Sequence, residues 1–153
     1  MATPANINPR IVESLYTEAL TLSDEVRAAF ARGGSIKGED ADLAKVALSC
    51  EALRTTTRMM HAIAWLLNHR AYFVGDLSEF QLRRYGKLVD FPEGDEGHMA
   101  RLDPEMRELI HATELFHARL KRLDNGWRER APGAPTAISR LRERLAQQAF
   151  GTA

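Results

Sequence analysis

The chain has 153 residues, 44% of them apolar, enough for one domain with a sizeable core. Basic and acidic residues number 21 each, so the formal net charge is zero and the positive excess of a general nucleic-acid or acidic-membrane binder is absent. No apolar run reaches the roughly 18 residues of a membrane span, no basic-then-apolar leader opens the chain, and the single cysteine, Cys50, excludes an internal disulfide or a cysteine zinc site. The expected class is a protein of the reducing cytoplasm.

Alanine (22) and leucine (18) far outnumber valine (5) and isoleucine (6). The first pair enters helices at little cost, whereas β-branched side chains lose rotamer freedom there. The reading is all-α: a three-helix bundle with a long central helix, plus a short C-terminal helix, in one domain over residues 1–153. The first helix is expected over about 9–32. Asn8 caps it and Pro9 suits its first position, where no backbone donor is needed. Ile11, Leu15, Ala19, Leu22, Val26 and Ala29 draw one apolar stripe. Gly33-Gly34 stop it, and the short connector to Gly38 implies an antiparallel return.

Residues 39–74 contain neither glycine nor proline, so a second helix of about 54 Å is expected. That exceeds the width of a compact domain of this size (radius of gyration roughly 15 Å), so the helix kinks or packs partly on something else. Winding it at 100° per residue gives one apolar side with Val46, Cys50, Leu53, Thr57, Met60, Ala64, Leu67 and Ala71, read as the core seam. The other holds Leu48, Thr55, Met59, Ala62, Leu66 and Phe73. Met59, Ala62, Leu66 and Phe73 of that second side are read as a homodimer face. Between the two runs a polar strip of Glu51, Arg54, Arg58, His61, Trp65 and His69.

Residues 75–103 break the pattern as an irregular link, although Ser78 and Gln81 have the spacing of a capping box and a short helix follows from it. Residues 90–97 form an acidic loop. Asp103-Pro104 opens a third long helix over about 104–130, striped by Met106, Leu109, Ile110, Thr113, Phe116, Leu120, Leu123 and Trp127. Pro132-Gly133 ends it, and residues 136–149 form the C-terminal helix.

Two Glu-x-x-His motifs, Glu108 with His111 and Glu114 with His117, have di-iron spacing. They lie six residues apart on one helix, about 120° out of phase, and cannot share a metal. The polar strip is the more informative pattern. Arg54, Arg58, His61 and Trp65 stack in one arc with Glu51 three residues before Arg54. Such a line can grip a carboxylate or phosphate, pair with Glu13 or Glu18 of the first helix, or meet a protein partner. Cys50 reads as a small buried apolar residue. Residues 119–144 carry eight basic and three acidic side chains, a surface able to touch nucleic acid or an acidic partner, with a solvated face as the default. No catalytic, metal or cofactor-binding residue is assigned.

Residues 48–67 (LSCEALRTTTRMMHAIAWLL), with 13–19 (ESLYTEA) and 102–109 (LDPEMREL), resemble an alphaproteobacterial family of helical proteins, the regulators of CtrA degradation (RcdA-like), long catalogued as a domain of unknown function. The resemblance covers roughly residues 11–124, without the link over 75–100 and the tail after Trp127. Cys50, Glu51, Arg54, Thr57, Arg58, His61 and Trp65 match its most distinctive motif. It implies a dimerising three-helix bundle acting as a non-enzymatic adaptor. Such adaptors help deliver substrates, cell-cycle regulators among them, to the ClpXP protease beside a priming response-regulator protein. The partners so implied are a second copy, protease, priming factor and substrate, with neither membrane nor nucleic acid expected. The alternative is a small helical-bundle enzyme holding an anionic substrate through Arg54, Arg58 and His61.

Overall fold

The computed structural model describes residues 7–33, 40–130 and 137–151, which form six helices and no strand. Helix α1 spans Pro9–Arg32, and the Asn8 side chain accepts from the Ile11 N–H at 2.9 Å, so the expected cap is in place. Helix α2 runs unbroken over Ala41–Phe73, about 50 Å at 1.5 Å per residue. It ends where Gly75 takes a left-handed φ of 89°, and the Asp76 N–H closes back onto the Ala71 carbonyl at 2.9 Å. Only glycine adopts that conformation without strain, which fixes the helix end.

Helix α3, Glu79–Tyr85, starts from the expected capping box. Ser78 Oγ accepts from the Gln81 N–H, and Gln81 Oε1 accepts from the Ser78 N–H. Helix α4, Glu96–Met99, is a single turn that periodicity did not reveal. Helix α5 spans Pro104–Arg128, capped by Asp103, and passes through Asn125-Gly126. Helix α6 spans Ala137–Phe150, and its side chains from Ile138 onward are all exposed. The stops expected at Gly34 and at Pro132-Gly133, and the connector to Gly38, lie outside the described residues.

Helix α2 is central, touching α1, α3, α4 and α5, while α1 also meets α5. The main core gathers Val12, Leu15 and Ala19 of α1, Met59, Ala62, Trp65 and Leu66 of α2, and Phe116, Leu120 and Trp127 of α5. Leu82 and Leu88 close it from the link. A smaller cluster of Ala29, Leu102, Met106 and Ile110 fills the other end. No helix among the described residues is long and apolar enough to cross a membrane.

The two sides of α2 are the reverse of the sequence reading. The expected core seam faces outward: Val46 is 56%, Leu53 72% and Met60 64% exposed, and Cys50 is exposed, not buried. Of the expected dimer face, Met59, Ala62 and Leu66 are buried within the chain and Phe73 packs half-buried against the main core. The reason lies in the strip between them. Glu51, Arg58, Trp65 and His69 are themselves buried, which centres the inward arc on the polar residues and leaves the expected seam diametrically opposite.

Candidate functional site

Three of the buried side chains on α2, Glu51, Arg58 and Trp65, answer groups in the link or on α5. Glu51 Oε1 accepts from Arg54 Nη1 at 2.6 Å and from the Asp95 N–H at 3.2 Å, with His98 Nδ1 at 3.1 Å. Arg58 donates from Nη1 to Thr113 Oγ1 at 3.0 Å and from Nη2 to the Pro92 carbonyl at 2.8 Å. Its guanidinium lies over the Phe91 ring, which also meets His61 at 5.7 Å. Burial lowers the Arg58 pKa, opposed by Glu114, Glu51 and Glu93. Trp65 Nε1 donates to Asp124 Oδ1 at 3.0 Å, and Asp124 Oδ2 accepts from the Leu88 N–H at 3.2 Å while Arg128 Nε donates to both oxygens.

Helix α5 completes the set. Lys121 Nζ donates to the Leu88 carbonyl at 2.6 Å, and His117 Nε2 sits 3.1 Å from the Val89 carbonyl. Five backbone groups of residues 88–95 are thereby met by side chains of α2 and α5. An irregular segment lying over a core has no ladder or helix to satisfy its own N–H and C=O groups, so side chains must do so. Glu51 and Arg58 of the polar strip are buried for that reason.

His69 stands apart. It is fully buried, 4.2 Å from the Trp65 ring and 5.4 Å from the Trp127 ring, and neither ring nitrogen meets a hydrogen-bond partner among the described residues. Burial lowers its pKa to about 4, with Asp124 pulling the other way.

The five strip residues do not converge. Glu51, Arg54, Arg58, His61 and Trp65 are strung along about 21 Å of helix, and of the three groups that were to grip an anion Arg54 and Arg58 are engaged inside the chain while His61 meets the Phe91 ring. Glu13 and Glu18, weighed as their partners, pair instead with Arg70 at 2.8 Å and Arg119 at 2.5 Å. An open groove of about 860 Å³ lies elsewhere, between α1 and α5, over Leu22, Leu115 and Phe116. Glu108 and His111 are exposed while His117 turns inward to Val89. Among the described residues no group of three or more His, Cys, Asp or Glu side chains is placed to hold a metal. Sequence reasoning did not single out Lys121 and Asp124. With Thr113 and His117 they recur at steps of four, four and three beside the α5 stripe, a polar line that marks them in retrospect.

What remains uncovered is the outer side of α2. Leu43, Val46, Cys50, Leu53, Thr57, Met60, Ala64, Leu67, Ala71 and Val74 alternate steps of three and four without a break and include no charge. Leu43 (54%), Leu67 (42%) and Val74 (68%) extend the exposure already noted. A strict seven-residue repeat is the period at which a helix keeps one stripe facing another helix, whereas single scattered apolar residues on a surface call for no explanation.

No curated protein and no solved structure matches the chain. The family model described as "Protein of unknown function (DUF1465)" matches residues 3–150, which takes in the link and most of the tail that lay outside the RcdA-like resemblance. The chain therefore belongs to the DUF1465 family.

Proposed function

We propose that this protein is a non-enzymatic adaptor of the cytoplasm, a helical scaffold that binds other proteins through the outer side of α2. The observation that carries the reading is the uncharged heptad seam, exposed at eight of its ten positions, while Glu51 and Arg58 on the other side of α2 are engaged in holding the link. A long apolar stripe on an otherwise polar surface marks a protein contact. The resemblance of residues 48–67 to the RcdA-like proteins supports assigning that contact to ClpXP-dependent proteolysis of cell-cycle regulators.

The test is a reconstituted degradation reaction containing ClpXP, its priming response regulator and a cell-cycle transcription regulator. Added protein accelerates substrate turnover, and Leu53→Glu, placed where the side chain is 72% exposed, abolishes the acceleration without unfolding the chain. Unchanged turnover, together with no binding to any component, contradicts the reading.

A further inference from the structure

We infer that the groove between α1 and α5 is a docking site for α6 of the same chain, which lies in it antiparallel to α5. This face is distinct from the α2 seam, so the docking is independent of the adaptor reading.

Helix α6 has 14 residues, the length at which an isolated helix is marginal in water, and from Ile138 onward every side chain is exposed. Such a helix is held by packing an apolar face. Winding at 100° per residue places Ile138, Leu141, Leu145 and Ala149 within an arc of about 80°, with Arg142 and Arg144 flanking it on either side. A stripe that narrow suits the floor of a groove between two helices, with the long flanking side chains laid over the rims.

The α1–α5 groove offers that floor. The two helices run antiparallel, Glu18 pairing with Arg119 and Ala29 packing beside Met106 and Ile110. The 860 Å³ space over Leu22, Leu115 and Phe116 continues into a second of about 400 Å³ over Ala29 and Leu109, and Glu25 and Ala112 line both. Together they extend from Arg122 to Glu105, about 26 Å along α5, against about 21 Å for α6. Leu115 is 58% exposed there.

Charge and chain length select the occupant. The second part of the groove is rimmed by Glu25, Glu105 and Glu108, none of them ion-paired with another described residue, against one guanidinium, Arg32. Helix α6 brings Arg140, Arg142 and Arg144 against Glu143 alone. The positions flanking the α2 seam instead carry Arg54, His61 and Arg70, and the acidic one, Asp42, lies at the far end of that helix. Arg83 holds the carbonyls of Arg128 and Arg130, which fixes where the chain leaves α5. From Arg128 the near end of the groove, at Arg122, is about 9 Å back along α5, and the six residues before Ala137 bridge up to about 20 Å. A helix returning over so short a link enters beside Arg122 and runs antiparallel to α5, which sets Leu145 level with Leu115.

Disulfide trapping reads the position and trypsin reads the docking, both on the full chain. In a Cys50→Ser background, Leu115→Cys with Leu145→Cys gives an intrachain disulfide on oxidation, and Leu53→Cys with Leu145→Cys gives none. Trypsin cuts the wild type at Arg140, Arg142 and Arg144 at least about 10-fold more slowly than it cuts Leu115→Glu, whose circular dichroism spectrum is otherwise that of the wild type. The inference is overturned if the 115–145 disulfide does not form, or forms only between chains, the groove then holding another copy's helix. A 53–145 disulfide overturns it in favour of the α2 seam, and equal tryptic rates in the wild type and Leu115→Glu show α6 to be undocked.

Discussion

The two sides of α2 differ in polarity and in duty. The inner side carries Glu51, Arg58, Trp65 and His69, and three of these four hydrogen-bond groups of the link or of α5. The outer side carries ten uncharged residues, Thr57 the only hydroxyl, and eight of the ten are exposed. Polarity is thus a poor guide to direction in this helix. A buried polar group is stable where its partner is also buried and geometrically fixed, and costly otherwise. The inner side is polar because an irregular segment lies against it; the outer side is apolar although its surroundings are solvent, which makes it the side that calls for a partner.

Substitutions on the two sides should therefore diverge, and the largest effect is expected inside. Asp124→Ala strips the acceptor from Trp65 Nε1 and the Leu88 N–H and leaves Arg128 without its carboxylate, which predicts a loss of about 3–5 kcal/mol in urea unfolding. Asp124→Asn, which keeps one carbonyl acceptor, loses less. A loss below about 1 kcal/mol for the alanine variant would mean that the link is held by its apolar contacts alone.

His69 gives the inner side a pH signature. Its pKa falls from 6.5 in the unfolded chain to about 4 when folded. Between those values the unfolded state binds a proton that the folded state does not, so stability rises with pH across this window. The contribution is complete above pH 6.5 and about 3 kcal/mol is lost as the pH falls to 4. His69→Phe, which keeps an aromatic ring between Trp65 and Trp127, should flatten the curve over that range. An identical pH dependence in the two proteins would place the acid sensitivity elsewhere.

Smaller effects bound the comparison. Ser78→Ala removes the acceptor for the Gln81 N–H and should cost about 1 kcal/mol. Leu53→Ala on the outer side should change the stability of the isolated monomer by no more than about 0.5 kcal/mol. A loss of several kcal/mol there at concentrations too low for association would show the seam to be packed within the chain, and would erase the distinction between the sides.

Much of the fold was legible because it is written locally. Asn8-Pro9, Asp103-Pro104 and the Ser78–Gln81 box each start a helix where their chemistry requires it, and Gly75 ends α2 at the only left-handed residue among those described. The direction of α2 was not legible, since its two apolar arcs nearly cancel and winding alone cannot rank them. The deciding fact is tertiary: residues 88–95 lie across α2 and α5 and draw Arg58, Glu51, Lys121 and Asp124 inward. Nothing in the periodicity of α2 reports a segment 30 residues downstream. The seam residues themselves were read correctly as one stripe, and only their environment was inverted.

The rate of ClpXP-dependent turnover with Leu53→Glu in place of the wild-type chain probes the outer side most directly, because that side chain supports nothing else in the molecule. The account predicts that a folded Leu53→Glu protein leaves turnover at the level seen with no protein added. Turnover equal to that with the wild type would contradict it.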